Sequence, residues 1–568
     1  MFGGIFDEII KKIEEWISGK GHGGDDAGER DLLPLLLVPG IGGSILNAVD
    51  DDNSDNAERV WVRLFFADHE FKKKLWSRYD PATGKTLSLD PKSHIEVPDE
   101  NYGLFSCDIL DPAVFIRLNI VYNFHDLIEQ LEQWGYKAGT TLFGYGYDFR
   151  QSNRLPEAVD GLLRRLEAIH KTSGGKKVNI ISHSMGGLLV RSLLALHSAS
   201  FERLVNSWTT IATPFQGAPA FVTDCLLTGV EFLKGWQKEL WVAKWSTHQL
   251  LVECPSVYEM MASLTHEWER PPQLQVWRRR RKHDNNPKHV KLHSYGPLEC
   301  VSVMEAALKE NTLSYDDKTI PIPFNRCILE WANESRCLWF SAKLPKDFKF
   351  YNIYGTSCKT PFDVCYGSEK CPIVELKEIL HTEADFKYVD GDGTVPSESS
   401  KADGFTATAR HGVPGNHRGL LRSNAVFLLL KDILEIKDKE KKLAVHAAPH
   451  KSEEVIEKQA QFCLSDTAMS HKNSTWDANS EDSQDYNSGS ESEDNTENSV
   501  IFTINTEDAR AQAHARATPH EPHKGFEFHH LSVSAAGVAE GSDREKATIA
   551  VEKAMASATA KLMALYNM

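Results

Sequence analysis

The 568-residue sequence predicts an α/β fold, a mostly parallel sheet with helices on both faces and a large inserted cap. Three observations predict it. From residue 31 to about 436, short apolar runs alternate with amphipathic stretches, the rhythm of strands joined by crossover helices. Between about 221 and 347 that rhythm stops and tryptophans accumulate. At residues 178–181 a β-branched strand runs through a turn of small residues straight into a helix.

Taken in order, residues 1–30 read as an amphipathic helix and a linker. Phe2, Ile5, Phe6, Ile9, Ile10, Ile13, Trp16 and Ile17 recur at three- and four-residue steps, and 19–28 is a flexible, glycine-rich stretch. Such a helix can lie on a membrane, but its polar face carries as much Asp and Glu as Lys, which favours packing on its own domain. The same charges break up any signal-peptide core, and no stretch approaches the roughly 18 apolar residues of a membrane span. A cytoplasmic location follows as an expectation. The ten cysteines then read as mostly free thiols. Cys358, Cys365 and Cys371 cluster without the paired spacing or His partners of a zinc site, so no metal is expected.

Residues 31–220 form the first part of the core. LLPLLLV at 32–38 is a buried strand, 124–134 a helix, 141–143 a strand and 155–170 a helix. The strand at 178–181, the helix at 188–197 and the strand at 208–211 complete it. The 221–347 insertion holds Trp236, Trp241, Trp245, Trp268, Trp277, Trp331 and Trp339, plus a basic run at 278–282. It reads both as a cap over the site and as a helical subdomain with its own small core. Residues 348–436 return to the core, with a strand at 351–354. The 437–568 extension has a polar acidic tract at 471–498 that is expected to be disordered, with eight acidic residues and no basic one from 477 to 497. It also offers one strand at 500–504 and an Ala-rich helix at 544–565, and no chemistry. The net charge of −16 argues against nucleic-acid partners.

The chemistry begins at Ser182-His183-Ser184-Met185-Gly186-Gly187. Strand, tight turn and helix are the context of the nucleophile elbow of the α/β-hydrolase fold, with Ser184 as nucleophile. The turn demands small residues two before and two after the serine. Gly186 meets this, and Ser182 replaces the usual glycine as a tolerated variation. A serine needs a base and an orienting acid, in the chain order serine, acid, histidine. Asp390 and Asp392, in a Gly-rich turn after a strand, are the acid candidates. His411 and His417 are the base candidates, with His417 directly before an amphipathic helix. His183 reads as a packing or hydrogen-bonding residue. The N–H of Met185 and one from the glycine-rich loop at 37–44 are placed to form an oxyanion hole.

The VPG loop, the HSMGG elbow, IATPFQGAP, DGDGTVP and the final HRGLL together resemble the lecithin–cholesterol acyltransferase family, over about residues 32–434. The likeness is greatest to its plant cytosolic phospholipase A branch. That resemblance implies a phospholipase A type lipid acyl hydrolase with an acyl-enzyme on Ser184, or an acyltransferase moving the acyl group to a sterol or diacylglycerol. It implies Asp392 and His417 as the other triad members, with the backbones of Ile41 and Met185 as oxyanion donors. It also implies a lid around residues 57–80 that touches membrane through Trp61. No cofactor is required, and the expected partner is a phospholipid membrane surface met peripherally.

Overall fold

The computed structural model describes residues 32–62, 71–111, 123–230, 242–279 and 290–436, and three strands between 499 and 536. The helix expected at 1–18, its linker, the acidic tract and the Ala-rich helix lie outside these residues.

Six strands make the central sheet: β1 (Leu35–Val38), β2 (Leu142–Gly144), β3 (Val178–His183), β4 (Val205–Ile211), β5 (Lys349–Thr356) and β6 (Ala409–Pro414). Their spatial order is β6-β5-β4-β3-β1-β2, and every neighbouring pair is parallel. Strands buried on both faces need apolar side chains at every position, which is why β1 reads LLLV with no alternation. The period of two still sorts the faces. Leu36 and Val38 join one core with Ile180, Trp208 and Phe350, while Leu35 and Leu37 join the other with Leu142, Ile181 and Ile353.

Helices cover both faces. On one lie α1 (His125–Gln133) and the helix Asn424–Ile433. On the other lie α2 (Pro156–Thr172) and α3 (Gly186–Leu196). α2 opens with Pro156, whose missing N–H has no partner to lose at a helix start, and buries Val159, Leu162, Leu166 and Ile169 along one stripe. α3 departs from the amphipathic helix expected at 188–197. Every residue from Gly186 to Leu194 is buried, Arg191 included. The reason is the cap helix Arg326–Ser341, whose Trp339 donates its indole N–H to Ser192 (2.7 Å) and accepts from Arg191 Nε at its carbonyl (3.0 Å).

The cap is not purely helical. Leu274–Arg279 and Val290–Tyr295 pair antiparallel, and Leu274–Arg279 continues parallel onto Cys358–Tyr366, which pairs with Ala384–Gly391. Half of this four-stranded sheet therefore comes from residues that the sequence assigned to the core. Nor does the cap keep a separate core: Leu250, Val257, Met304 and Trp339 belong to one continuous apolar cluster with Leu36 and Trp208. Cys358 and Cys365 sit near opposite ends of one strand and do not converge. In the extension, the strand expected at 500–504 is Ser499–Thr506, paired with Ala509–Pro519, which pairs in turn with Phe526–Ala536.

Candidate active site

Loops leaving the carboxyl ends of β1, β3, β5 and β6 converge, as a parallel sheet requires of its ligand site. Ser184 follows β3 in the left-handed region, at φ +53°, held by its N–H donating to Ile211 O (2.8 Å) and its carbonyl accepting from Gly187 N–H (3.0 Å). For a non-glycine residue this backbone costs on the order of 1–2 kcal/mol. It turns the hydroxyl out of the sheet at the start of α3. Only glycine fits at two contacts. A Cβ on Gly186 would meet Pro39 O at 2.4 Å, and one on Gly40 would meet Ser184 Cβ at 2.6 Å.

The structure brings Ser184, His417 and Asp392 together. Ser184 Oγ–H donates to His417 Nε2 (2.9 Å), and His417 Nδ1–H donates to Asp392 Oδ2 (2.7 Å). The other oxygen, Asp392 Oδ1, accepts from the backbone N–H of Thr394 (2.9 Å) and Val395 (2.7 Å). The carboxylate is 1% exposed, and donors to each of its oxygens replace the water it has lost. The 25-residue step from acid to histidine contains β6, so Asp392 does not leave the last strand of the sheet. It arrives by a detour. The hairpin Cys358–Tyr366/Ala384–Gly391 goes out from β5 and returns, pairing Cys358 with Gly391 and setting Asp392 beside the end of β5. Backbone then ties the two residues, with His417 N–H donating to Asp392 O (2.8 Å).

The alternatives are placed elsewhere. Asp390 Oδ1 accepts from Ser357 N–H (2.6 Å) and its Oδ2 from Ser397 Oγ (2.8 Å), so it braces the turn. His411 lies within β6 opposite Ile353. His183 Nε2–H donates to the His417 carbonyl (3.0 Å), their rings 4.8 Å apart. Burial first, then the charges of His417 and Arg418, hold its pKa well below the usual imidazole range, so it stays neutral. Ser182 now has a physical role: its hydroxyl accepts from the indole N–H of fully buried Trp208 (2.9 Å).

Ile41, in the loop after β1, lines the same cavity as Ser184, and Met185, next after Ser184 in the chain, caps the start of α3. Among the described residues neither N–H has an acceptor. Three side chains from outside pin this loop: Asn123 Nδ2 donates to Gly43 O (2.9 Å), the Trp61 indole N–H to Gly42 O (2.9 Å) and the Tyr147 hydroxyl to Pro39 O (3.0 Å). Trp61 corrects the sequence expectation. It is 5% exposed and packs edge-on against Phe149 (5.5 Å), instead of presenting its ring to a membrane. Burial with its one donor satisfied is the reason. The described part of the expected 57–80 lid is likewise stitched to the cap, with Trp76 Nε1 donating to Ser246 O and Tyr79 N–H to Glu253.

Ser184 opens on a cavity of about 560 Å³. One wall is apolar, built by Phe221, Val222, Leu250, Leu251, Val257 and Met260. All six fall within the 221–347 insertion, the first two on the helix Pro219–Thr228 and the next two on Lys244–Leu251, while Gly40, Ser184, Asp392 and His417 line the cavity from the core. Sequence reading missed this wall, along with Asn123, Phe149, Arg418 and Arg422, because nothing in the local pattern of those residues marks a cavity.

Several comparisons bear on the site. A family model described as lecithin:cholesterol acyltransferase matches residues 77–267. The chain is similar to lecithin-cholesterol acyltransferase-like 4 of Arabidopsis thaliana, 45% identical over 521 residues that cover 90% of this chain and 95% of that one. It is similar to phospholipase A(1) LCAT3 of Arabidopsis thaliana, 51% identical over 431 residues, 75% of this chain and 96% of that one. Among solved structures it is similar to a chain of the Tle4-Tli4 complex, at a TM-score of 0.45 and 15% identity, covering 71% of this chain and 98% of that one.

Proposed function

The chain belongs to the lecithin:cholesterol acyltransferase family, and from that membership and the site geometry we propose a phospholipase A acting through an acyl group on Ser184. The observation that carries the reading is the hydrogen-bond chain Ser184–His417–Asp392 at the edge of an apolar cavity. His417 Nε2 takes the Ser184 proton as Oγ attacks a fatty acyl ester of a glycerophospholipid. Asp392 holds the imidazole in the Nδ1–H tautomer and stabilises the imidazolium that forms. The tetrahedral oxyanion falls to the unengaged N–H groups of Ile41 and Met185, with the start of α3 favouring the negative charge. Collapse breaks the ester C–O bond, and His417 returns the proton to the departing lysophospholipid. Water, deprotonated by the same histidine, then releases the fatty acid and restores Ser184. Replacing Ser184 by Ala should lower fatty-acid release from phosphatidylcholine vesicles by at least about 10³-fold. Retained release would overturn the assignment.

The acyl-enzyme passes equally to an alcohol, and the relative named as acyltransferase-like supports transfer to a sterol or diacylglycerol as the second reading. Mixed vesicles carrying labelled phospholipid separate the two: sterol ester or triacylglycerol outrunning free fatty acid would make transfer the main reaction. We further propose a cytoplasmic enzyme that meets membranes peripherally. Buried thiols at Cys107, Cys225, Cys254 and Cys300 support a reducing compartment, and no described helix is long and apolar enough to cross a bilayer. Recovery of tagged protein only in sealed, protease-protected vesicles would contradict this.

A further inference from the structure

Two arginines border the cavity beside His417. Arg418 follows it directly, and Arg422 closes the short 3₁₀ turn Gly419–Arg422. Among the described residues lining the cavity, the charged groups are these two arginines and Asp392, whose carboxylate accepts from His417 and two backbone N–H groups. Their charges are close enough to be felt nearby. Burial first and then Arg422 depress the pKa of Arg418, and Arg418 in turn contributes to keeping His183 neutral. Arg422 also borders a second hollow with Asp126 and Glu129, so it stands between those acids and the cavity.

The reaction itself fixes which part of the substrate lies here. The leaving oxygen must receive its proton from His417 Nε2, so the alcohol half of the ester leaves on the histidine side. The acyl half takes the apolar wall of Val222, Leu250 and Met260. Whatever the alcohol carries therefore emerges beside residues 416–422. A guanidinium binds a phosphate through paired N–H donors in a fixed fork, and is less costly to desolvate than an ammonium.

We propose that Arg418 and Arg422 hold the phosphodiester of the leaving lysophospholipid, and are the residues by which the site prefers glycerophospholipids to uncharged acylglycerols. The assignment rests on the phospholipase reading above. It makes the two arginines binding and specificity residues, with the proton transfers left to His417.

The test compares kcat/KM on phosphatidylcholine and on diacylglycerol of the same chains, in the same neutral detergent micelles, for the full chain and for Arg418→Gln, Arg422→Gln and the double variant. The ratio of the two should fall by about 10- to 100-fold in the double variant, mainly through KM for the phospholipid. Arg418→Lys and Arg422→Lys, which keep charge but lose the fork, should fall between. Equal losses on both substrates, or an unchanged ratio, would overturn the proposal and make the pair structural. A wild-type chain that cleaves diacylglycerol but no phospholipid would instead sink the phospholipase reading, and this proposal with it. Glycerophosphocholine should inhibit the diacylglycerol reaction of the wild type and not of the double variant. Inorganic phosphate inhibiting as strongly would reassign the pair to a free phosphate ion.

Discussion

At the scale of single residues, two aspartates two positions apart have different work. Asp392 is buried against His417, whereas Asp390 braces Ser357 and Ser397 at the surface of the turn. Asp392→Asn should lower kcat by about 10⁴-fold, because an amide no longer selects the Nδ1–H tautomer. Asp390→Asn should leave kcat within about threefold and cost less than about 1 kcal/mol in denaturant unfolding. The reverse ranking would exchange their roles. Ser182 is the other instructive residue. Ser182→Gly would restore the usual elbow residue yet strip the Trp208 indole N–H of its acceptor, and should destabilise by about 1–3 kcal/mol. An unchanged melting curve would show that the hydroxyl contributes nothing. Sequence alone named the serine as small enough for the turn. The reason for a hydroxyl lay 26 residues away on a neighbouring strand, where no local pattern reaches.

Elements carry the next two predictions. The loop after β1 approaches the nucleophile so closely that Gly40→Ala must displace Ser184. A shift of that size should cut kcat by about 10²-fold, with the fold intact by circular dichroism. Wild-type kcat would mean that the loop yields instead. The segment that the sequence took for a lid is held at its end by Glu253, which accepts from Tyr79 N–H (2.8 Å), and the Glu253 carbonyl accepts from Thr86 Oγ (2.7 Å) just beyond that segment. Burial, more than the opposing Tyr79 hydrogen bond and Arg78, pushes the Glu253 pKa from 4.5 up to about 7. Its folded pKa lies above its unfolded one, so its contribution to stability is full below about pH 4.5 and is lost as pH rises through 7. Glu253→Gln should therefore gain up to about 3 kcal/mol over the wild type at pH 8 and little at pH 4.5, read from unfolding curves at the two pH values. A gain that does not grow with pH would contradict the assignment.

On the scale of the whole molecule, the cavity belongs to neither core nor cap. The cap supplies its apolar wall and the core its catalytic residues, over one continuous apolar cluster. Filling it from the cap side, as in Leu250→Trp, should shift preference toward shorter acyl chains. Each excluded CH₂ forfeits about 0.8 kcal/mol, so losing four methylenes costs on the order of 100-fold in kcat/KM for long chains. A chain-length profile measured with phosphatidylcholines of graded length would show it, and an unaltered profile would place the acyl chain elsewhere. The mixed sheet of the cap, with two strands taken from 358–391, explains why a boundary drawn at residue 347 by loss of rhythm falls short.

Features legible in the chain alone are those that near neighbours encode. Apolar runs fix the buried strands, three- and four-residue stripes fix α1 and α2, and a strand–turn–helix of small residues fixes the strained serine, all through interactions between near neighbours. The order of serine, acid and histidine is likewise carried by the chain. Long-range packing settles which aspartate meets His417, why Ser182 is a serine, that Trp61 turns inward onto the glycine loop, and that the cap helix carrying Trp339 covers the outer face of α3. Each of these depends on partners brought together from distant segments. Their energies come from burial and from satisfying single donors, and neither leaves a periodic trace in the chain.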